Sequence, residues 1–232
     1  MAYTPDGQKY DPVDPTTLAE CWIRSNEYYT FKKLLADPDK APFINDYIID
    51  ACAAINAICK KKFNAQIIDQ IVLDKYLRVL DYVNVSLDNA PVISIENVWI
   101  QTVNVFTPIL QTYFQLLTRE AVLKILPGTF YASYTTIPAY NIETSSNLWI
   151  RYTGGYEIDY TDPSNIINNV PRAVRKATAL MVDYMFGVDD VDATVKAFRT
   201  QTYSQTNATP MEDPKFTAIL SLLKPYIFNK VI

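Results

Sequence analysis

The sequence predicts an α+β fold: a helical core bundle with an inserted, mainly antiparallel β-sheet and extended termini. Two stretches, about 42–62 and 172–186, repeat apolar residues every three or four positions, as one face of a helix does. Between them, over about 67–156, the repeat shortens to two and the residues become β-branched and aromatic. Neither period reaches the ends. The chain therefore divides into residues 1–66 (an arm and the first core helices), 67–156 (the β-rich insert), 157–199 (further core helices) and 200–232 (a linker and a last helix).

Residues 1–15 carry Pro5, Pro12 and Pro15 among aspartates and read as an extended arm. Thr16 or Thr17 is placed to cap a helix reaching Tyr28, with Glu20 completing a capping box. Asp37-Pro38-Asp39 is a break in regular structure. The helix from about Pro42 to Lys62 has Ile44, Tyr47/Ile48, Ala51, Ile55 and Ile58/Cys59 as its apolar stripe. That face needs a partner, and the helix at 172–186 is the candidate. Lys60-Lys61-Lys62 closes it. These are either cations at the negative end of the helix dipole or contacts to DNA phosphate or an acidic neighbour.

In the insert, Gln66 to Leu73 reads as a strand or a short helix. Tyr82 to Leu87 alternates, Asp88-Asn89-Ala90-Pro91 is a turn, and alternation resumes at Ile93, Ile95, Val98 and Ile100. Tyr113–Leu117 and Val122–Leu126 are further strands. Thr129 to Asn147 is a long irregular loop rich in Tyr, Thr and Ser. The strand Leu148-Trp149-Ile150-Arg151-Tyr152 then runs into Gly154-Gly155, two of the chain's five glycines. They mark a bend that needs positive φ or close backbone approach. Pro171 suits the first turn of the next helix, whose face is Val174, Ala177, Met181 and Tyr184/Met185. Gly187 is placed to end that helix. A short helix is expected over Val191–Phe198, a linker or exposed hairpin over Thr200–Thr209, and a last helix over 214–224 with Phe216, Ile219/Leu220 and Leu223 on one face. Pro225 ends or kinks it.

At 232 residues, 49% hydrophobic and 20% charged, the chain is able to bury a real core. It has no apolar run of bilayer length, and its start lacks the basic and apolar regions of an export signal, so a soluble chain made in the cytoplasm, without a membrane partner, is expected. Cys21, Cys52 and Cys59 read as small buried thiols, because Cys52 and Cys59 lie two turns apart on one helix, beyond disulfide reach. Histidine is absent, which removes Ser-His-Asp and Cys-His catalysis and the usual zinc sites. Val188-Asp189-Asp190-Val191-Asp192 lacks the Gly and distal Glu of a calcium loop, and Gly154-Gly155 lacks the Lys of a phosphate loop. No cofactor or metal is expected. A glycosidase would have to draw on Glu143, Glu157, Asp159 and Asp162 near Trp149 and Tyr152. No spacing sets two of these carboxylates opposite each other, so the chain is read as a non-enzyme with no catalytic residue. The net charge of −4 argues against a dedicated nucleic-acid binder, while 17 tyrosines point to surfaces that touch other proteins.

The strand ending in Tyr152-Thr153-Gly154-Gly155-Tyr156, the polar loop, Val170-Pro171 and the Ala-bearing helix resemble the head–tail connector (adaptor) proteins of tailed phages. The helix ending in Cys59-Lys60-Lys61-Lys62-Phe63, the segment Pro91 to Val98 and the closing Leu222-Leu223-Lys224-Pro225-Tyr226 fall in that family's order. The resemblance covers roughly residues 42–228 and lies in the ordered set, not in any one motif. It implies a ring of about twelve identical copies held by head-to-tail contacts. That ring would sit under the portal protein at the head–tail junction of the virion, extend the DNA channel, and offer a platform to tail-side neck or tail proteins. Double-stranded DNA would pass without sequence-specific binding, and an acidic balance suits such a conduit. By resemblance, the segment 200–232 docks on the portal, with Tyr203, Phe216, Leu223, Tyr226 and Phe228 as contacts. Phe130, Tyr131, Tyr134 and Tyr140 of the long loop meet neighbouring copies. Another neck or tail-completion protein is the nearest alternative. A carbohydrate-binding module with Trp/Tyr platforms is the alternative of a different class.

Overall fold

The computed structural model describes residues 6–73, 83–102, 105–118, 121–125, 146–189 and 214–227. The chain forms an α+β fold with antiparallel strand ladders, in two compact units. One unit, here the helical unit, is built from Val13–Asn64 and the chain from Tyr156 onward. The other, the β unit, is built from Ala65–Gly155 together with the arm up to Pro12.

In the helical unit the expected helix from Thr16/Thr17 to Tyr28 is interrupted. A single 3₁₀ turn, Leu18–Glu20, carries the expected cap, with the Glu20 carboxylate accepting the N–H groups of Thr16 (2.7 Å) and Thr17 (3.1 Å). The chain then runs extended through Cys21-Trp22-Ile23, all fully buried, before α1 (Ser25–Lys32). Tertiary bonds override the local helical signal here. The Trp22 indole N–H donates to Thr178 Oγ1 at 2.8 Å, and the Trp22 carbonyl accepts from Asn168 Nδ2 at 2.9 Å.

Helix α2 (Ala41–Cys59) has Pro42 in its first turn and buries Ile44, Ile48, Ala51, Cys52, Ile55 and Cys59. It packs on α3 (Arg172–Asp189), the expected partner. α2 stops before the lysines, because Lys60 takes a left-handed φ of 53°. The Lys60 N–H then bonds Ala57 O and the Lys61 N–H bonds Asn56 O. α3 in turn runs past Gly187, which lies inside the helix and does not end it. α4 (Pro214–Leu223) lies on α3 and continues into a 3₁₀ turn, Lys224–Tyr226, that contains Pro225.

Among the described residues the β unit holds seven strands: β1 (Gln66–Leu73), β2 (Val83–Ser86), β3 (Val92–Thr102), β4 (Val105–Pro108), β5 (Phe114–Leu117), β6 (Val122–Ile125) and β7 (Ser146–Gly154). They form two sheets, β1-β7-β3-β4 and β2-β6-β5, where the sequence suggests one. Pairing of Ile68 with Tyr152 across β1 and β7 settles Gln66–Leu73 as a strand. Ile68, Val85, Val98, Ile100, Leu123, Ile125, Leu148, Ile150 and Tyr152 make the core of this unit. Two register shifts in β3 change its phase, so Val92 points in while Ile93, expected in the core, is 49% exposed. β4 is an addition to the expected strands. So is the small ribbon β8 (Ile158–Asp159) with β9 (Ile167–Asn168) in the helical unit, whose residues carry too few apolar side chains to announce it.

Candidate functional site

The strand β7 places one cation, Arg151, among apolar residues, and β1 places one carboxylate, Asp69, opposite it. A buried charge has to be paired and hydrogen-bonded. The Arg151 Nε donates to Asp69 Oδ1 at 2.8 Å and its Nη2 to Asp69 Oδ2 at 2.9 Å, with Asp69 fully buried as a side chain. This two-pronged geometry is the strong form of the pair. The rest of the guanidinium is met by the arm. Asp6 accepts from both Nη atoms, the Gln8 carbonyl accepts from Nη2 at 2.8 Å, and the Tyr10 ring lies 4.7 Å from the guanidinium carbon. The Asp69 N–H donates to the Tyr10 carbonyl at 2.7 Å. Bonding to Arg151 holds the Asp6 carboxyl well below the usual carboxylate range, and the two carboxylates raise Arg151 in turn. Sequence reasoning missed this pair, although a single charge in each of two otherwise uncharged strands is a signal for it.

The bend behind Arg151 explains both glycines. A Cβ on Gly154 would lie 2.5 Å from the Asn89 carbonyl oxygen, and Gly155 has φ 112°. Pro171 immediately precedes α3, and its carbonyl accepts the Arg175 N–H at 3.1 Å.

The three lysines after α2 are each used inside the helical unit. Lys60 ends the helix. Lys61 Nζ lies 4.8, 5.7 and 5.9 Å from the ring centres of Phe63, Tyr156 and Tyr226, and burial lowers its pKa. Lys62 pairs with Asp14 at 2.6 Å. Neither expected role, dipole complement or phosphate contact, describes Lys61. It lies over the rings of Phe63 and Tyr226, whose centres are 6.4 Å apart.

Of the residues expected to meet the portal, Phe216 and Leu223 are 5% and 0% exposed. They are the stripe by which α4 packs into the helical core, which removes them as contact surface. Tyr226 is half-buried in the Lys61 cluster. Tyr203 and Phe228, and the loop residues Phe130, Tyr131, Tyr134 and Tyr140, lie outside the described residues, as do Val191–Phe198 and Thr200–Thr209.

The carboxylates weighed for glycoside hydrolysis have local roles. Asp159 accepts from the Thr161 hydroxyl (2.6 Å) and N–H (2.8 Å), which lowers its pKa, the opposite of what a general acid needs. Asp162 accepts the Ser164 N–H at 2.8 Å. Glu157 is exposed, and Glu143 lies outside the described residues. Trp22, Trp149 and Tyr152 are fully buried, which leaves them no face on which to stack a sugar. The cysteines are free and buried, with burial pushing Cys59 to about 11. Among the described residues no cluster of His, Cys, Asp or Glu is arranged to hold a metal, and no helix is long and apolar enough to cross a membrane.

No family model and no curated protein matches the chain. Its fold, however, is that of chains from the neck and virion of a gene transfer agent (GTA) particle, and the match runs nearly end to end on both sides. A chain of the neck of the empty particle, computed with C6 symmetry, has a TM-score of 0.52 at 16% identity, with 95% of this chain and 96% of that chain covered. A chain of the native virion has a TM-score of 0.54 at 15% identity, with 96% of each covered. A chain of the native neck, computed with C12 symmetry, has a TM-score of 0.53 at 13% identity, with 97% of each covered. At such identities the likeness is one of fold.

Proposed function

We propose that this chain is a structural protein of the neck of a phage or phage-like particle, and within that class a head–tail connector. Identical copies form a ring beneath the portal protein, extend the DNA channel and present a platform to tail-side proteins. The observation that carries this reading is the end-to-end fold match to neck chains, one from a neck computed with sixfold and one with twelvefold symmetry. Both units are included in that match, so it is not the likeness of one common subdomain. The order of sequence features resembling phage adaptors is an independent support. The net charge of −4 per copy suits a ring through which DNA slides without adhering. The C-terminal segment is our choice for the portal contact. It docks through the chain beyond Tyr226 and the outward face of α4, because Phe216 and Leu223 are committed to the core. Cryo-electron microscopy of purified particles tests the reading, with density for this chain expected as a ring between capsid and tail. Its absence from that junction refutes the proposal.

A further inference from the structure

We infer that Arg151 and Asp69 form a socket for the N-terminal arm of a second copy of this chain, the arm being exchanged between neighbours in the ring. This rests on the ring reading above. Within the sheet, Asp69 takes two of the Arg151 donors and fixes the guanidinium, and its Oδ2 also accepts the Tyr10 N–H of the arm at 3.0 Å. What remains is a cation with donors still to be satisfied, and leaving them unmet inside a protein is costly. The occupant must therefore bring a carboxylate and a carbonyl, which the arm does from a turn at Gly7 (φ 76°).

The arm answers this at every second residue. Asp6 gives its carboxylate, Gln8 its carbonyl, and Tyr10 its ring to Arg151 and its carbonyl to the Asp69 N–H. Lys9, at an alternate position, pairs with Asp11 instead. A backbone bond to an edge strand and complementary charge are features of a peptide added to a sheet. β1 is that edge strand.

The chain's connectivity makes the arm separable. Its bonds up to Pro12 belong to the β unit, yet from Val13 the polypeptide folds in the helical unit. Pro12 and Pro15 hold the connection extended. In a ring, the socket of the neighbouring copy is present at high local concentration, and its contacts are the same as those of the chain's own socket. Exchange then ties copies together at little cost in free energy.

The test uses full-length chains in which Gln8 is replaced by the photo-crosslinking residue p-benzoylphenylalanine, since only the main-chain carbonyl of Gln8 is needed. Light and heavy isotope-labelled chains are mixed in equal amounts while unassembled, allowed to assemble, sized by mass photometry, irradiated and digested. Exchange predicts that cross-links from residue 8 to the Asp69 and Arg151 peptides are as often mixed-label as same-label in rings, and that they are lost in Arg151→Met. Rings with same-label links only overturn the exchange and leave the ring reading standing. Particles that never exceed monomer size, with same-label links, overturn both.

Discussion

In the helical unit, exposed-looking cations are absorbed by that unit's own residues: Lys61 by three aromatic rings and Lys62 by Asp14. In the β unit a single buried cation, Arg151, is satisfied only when an excursion of the chain from its far end, Asp6 to Tyr10, reaches it. The first unit completes itself from helices that lie on either side of the β insert in the chain. The second leaves an electrostatic demand that a distant segment of the chain meets. The largest test of the contrast is Arg151→Met. It strands Asp69 as a buried charge, and a loss of about 3–5 kcal/mol is expected in denaturant unfolding of the β unit. Adding Asp69→Leu removes the stranded carboxylate and restores most of that loss. If the double variant is as unstable as the single one, packing and not charge is what Arg151 supplies.

Gly154→Ala comes next. Its new Cβ meets the Asn89 backbone oxygen at 2.5 Å, and backbone cannot yield as a side-chain tip does. Strain of up to about 3 kcal/mol is expected, confined to the β unit. Normal stability in this variant would show that the turn at Asp88–Pro91 can move away.

A smaller effect is conditional on pH. Burial raises the Tyr152 phenol to about 12 from 10.0. Between those values the unfolded chain has released its proton and the folded chain retains it, so stability falls as pH rises from 10 and the full penalty, roughly 3 kcal/mol, is reached above 12. Tyr152→Phe flattens this alkaline slope, at the cost of the bond its oxygen accepts from the Asn89 N–H. A slope unchanged by the substitution would place the alkaline sensitivity elsewhere.

Legibility in the sequence followed the length and regularity of each repeat, not the division into units. The pairing of α2 with α3 was readable because each helix repeats its apolar stripe over several turns, and five of the strands were readable as candidates, two of them from alternation and β7 from its aromatic and β-branched residues. The split at Cys21–Arg24 was not, since the bonds that hold it open come from Asn168 and Thr178, far along the chain. The phase of β3 was lost to its bulges, which displace Ile93 outward without any mark in composition. The Arg151 clasp was missed for a related reason. Its three carriers lie at positions 6, 69 and 151, and nothing in their spacing reports that they meet.

Lys61→Met is the smallest change and the sharpest counterpart to Arg151→Met, because both replace a cation, half-buried at Lys61 and buried at Arg151, by an unbranched apolar side chain. Around Lys61 the rings of Phe63, Tyr156 and Tyr226 offer a cation–π attraction, while burial already works against its charge, as the lowered pKa records. The two effects oppose each other, and a thioether keeps good contact with aromatic rings. A net change within about 1 kcal/mol in either direction is therefore expected for the helical unit, against the several lost at Arg151. Thermal unfolding followed by tyrosine fluorescence measures it. A loss as large as that of Arg151→Met would mean that Lys61, too, holds a partner that cannot do without its charge, and the distinction between a self-completed unit and one that needs another segment would fail.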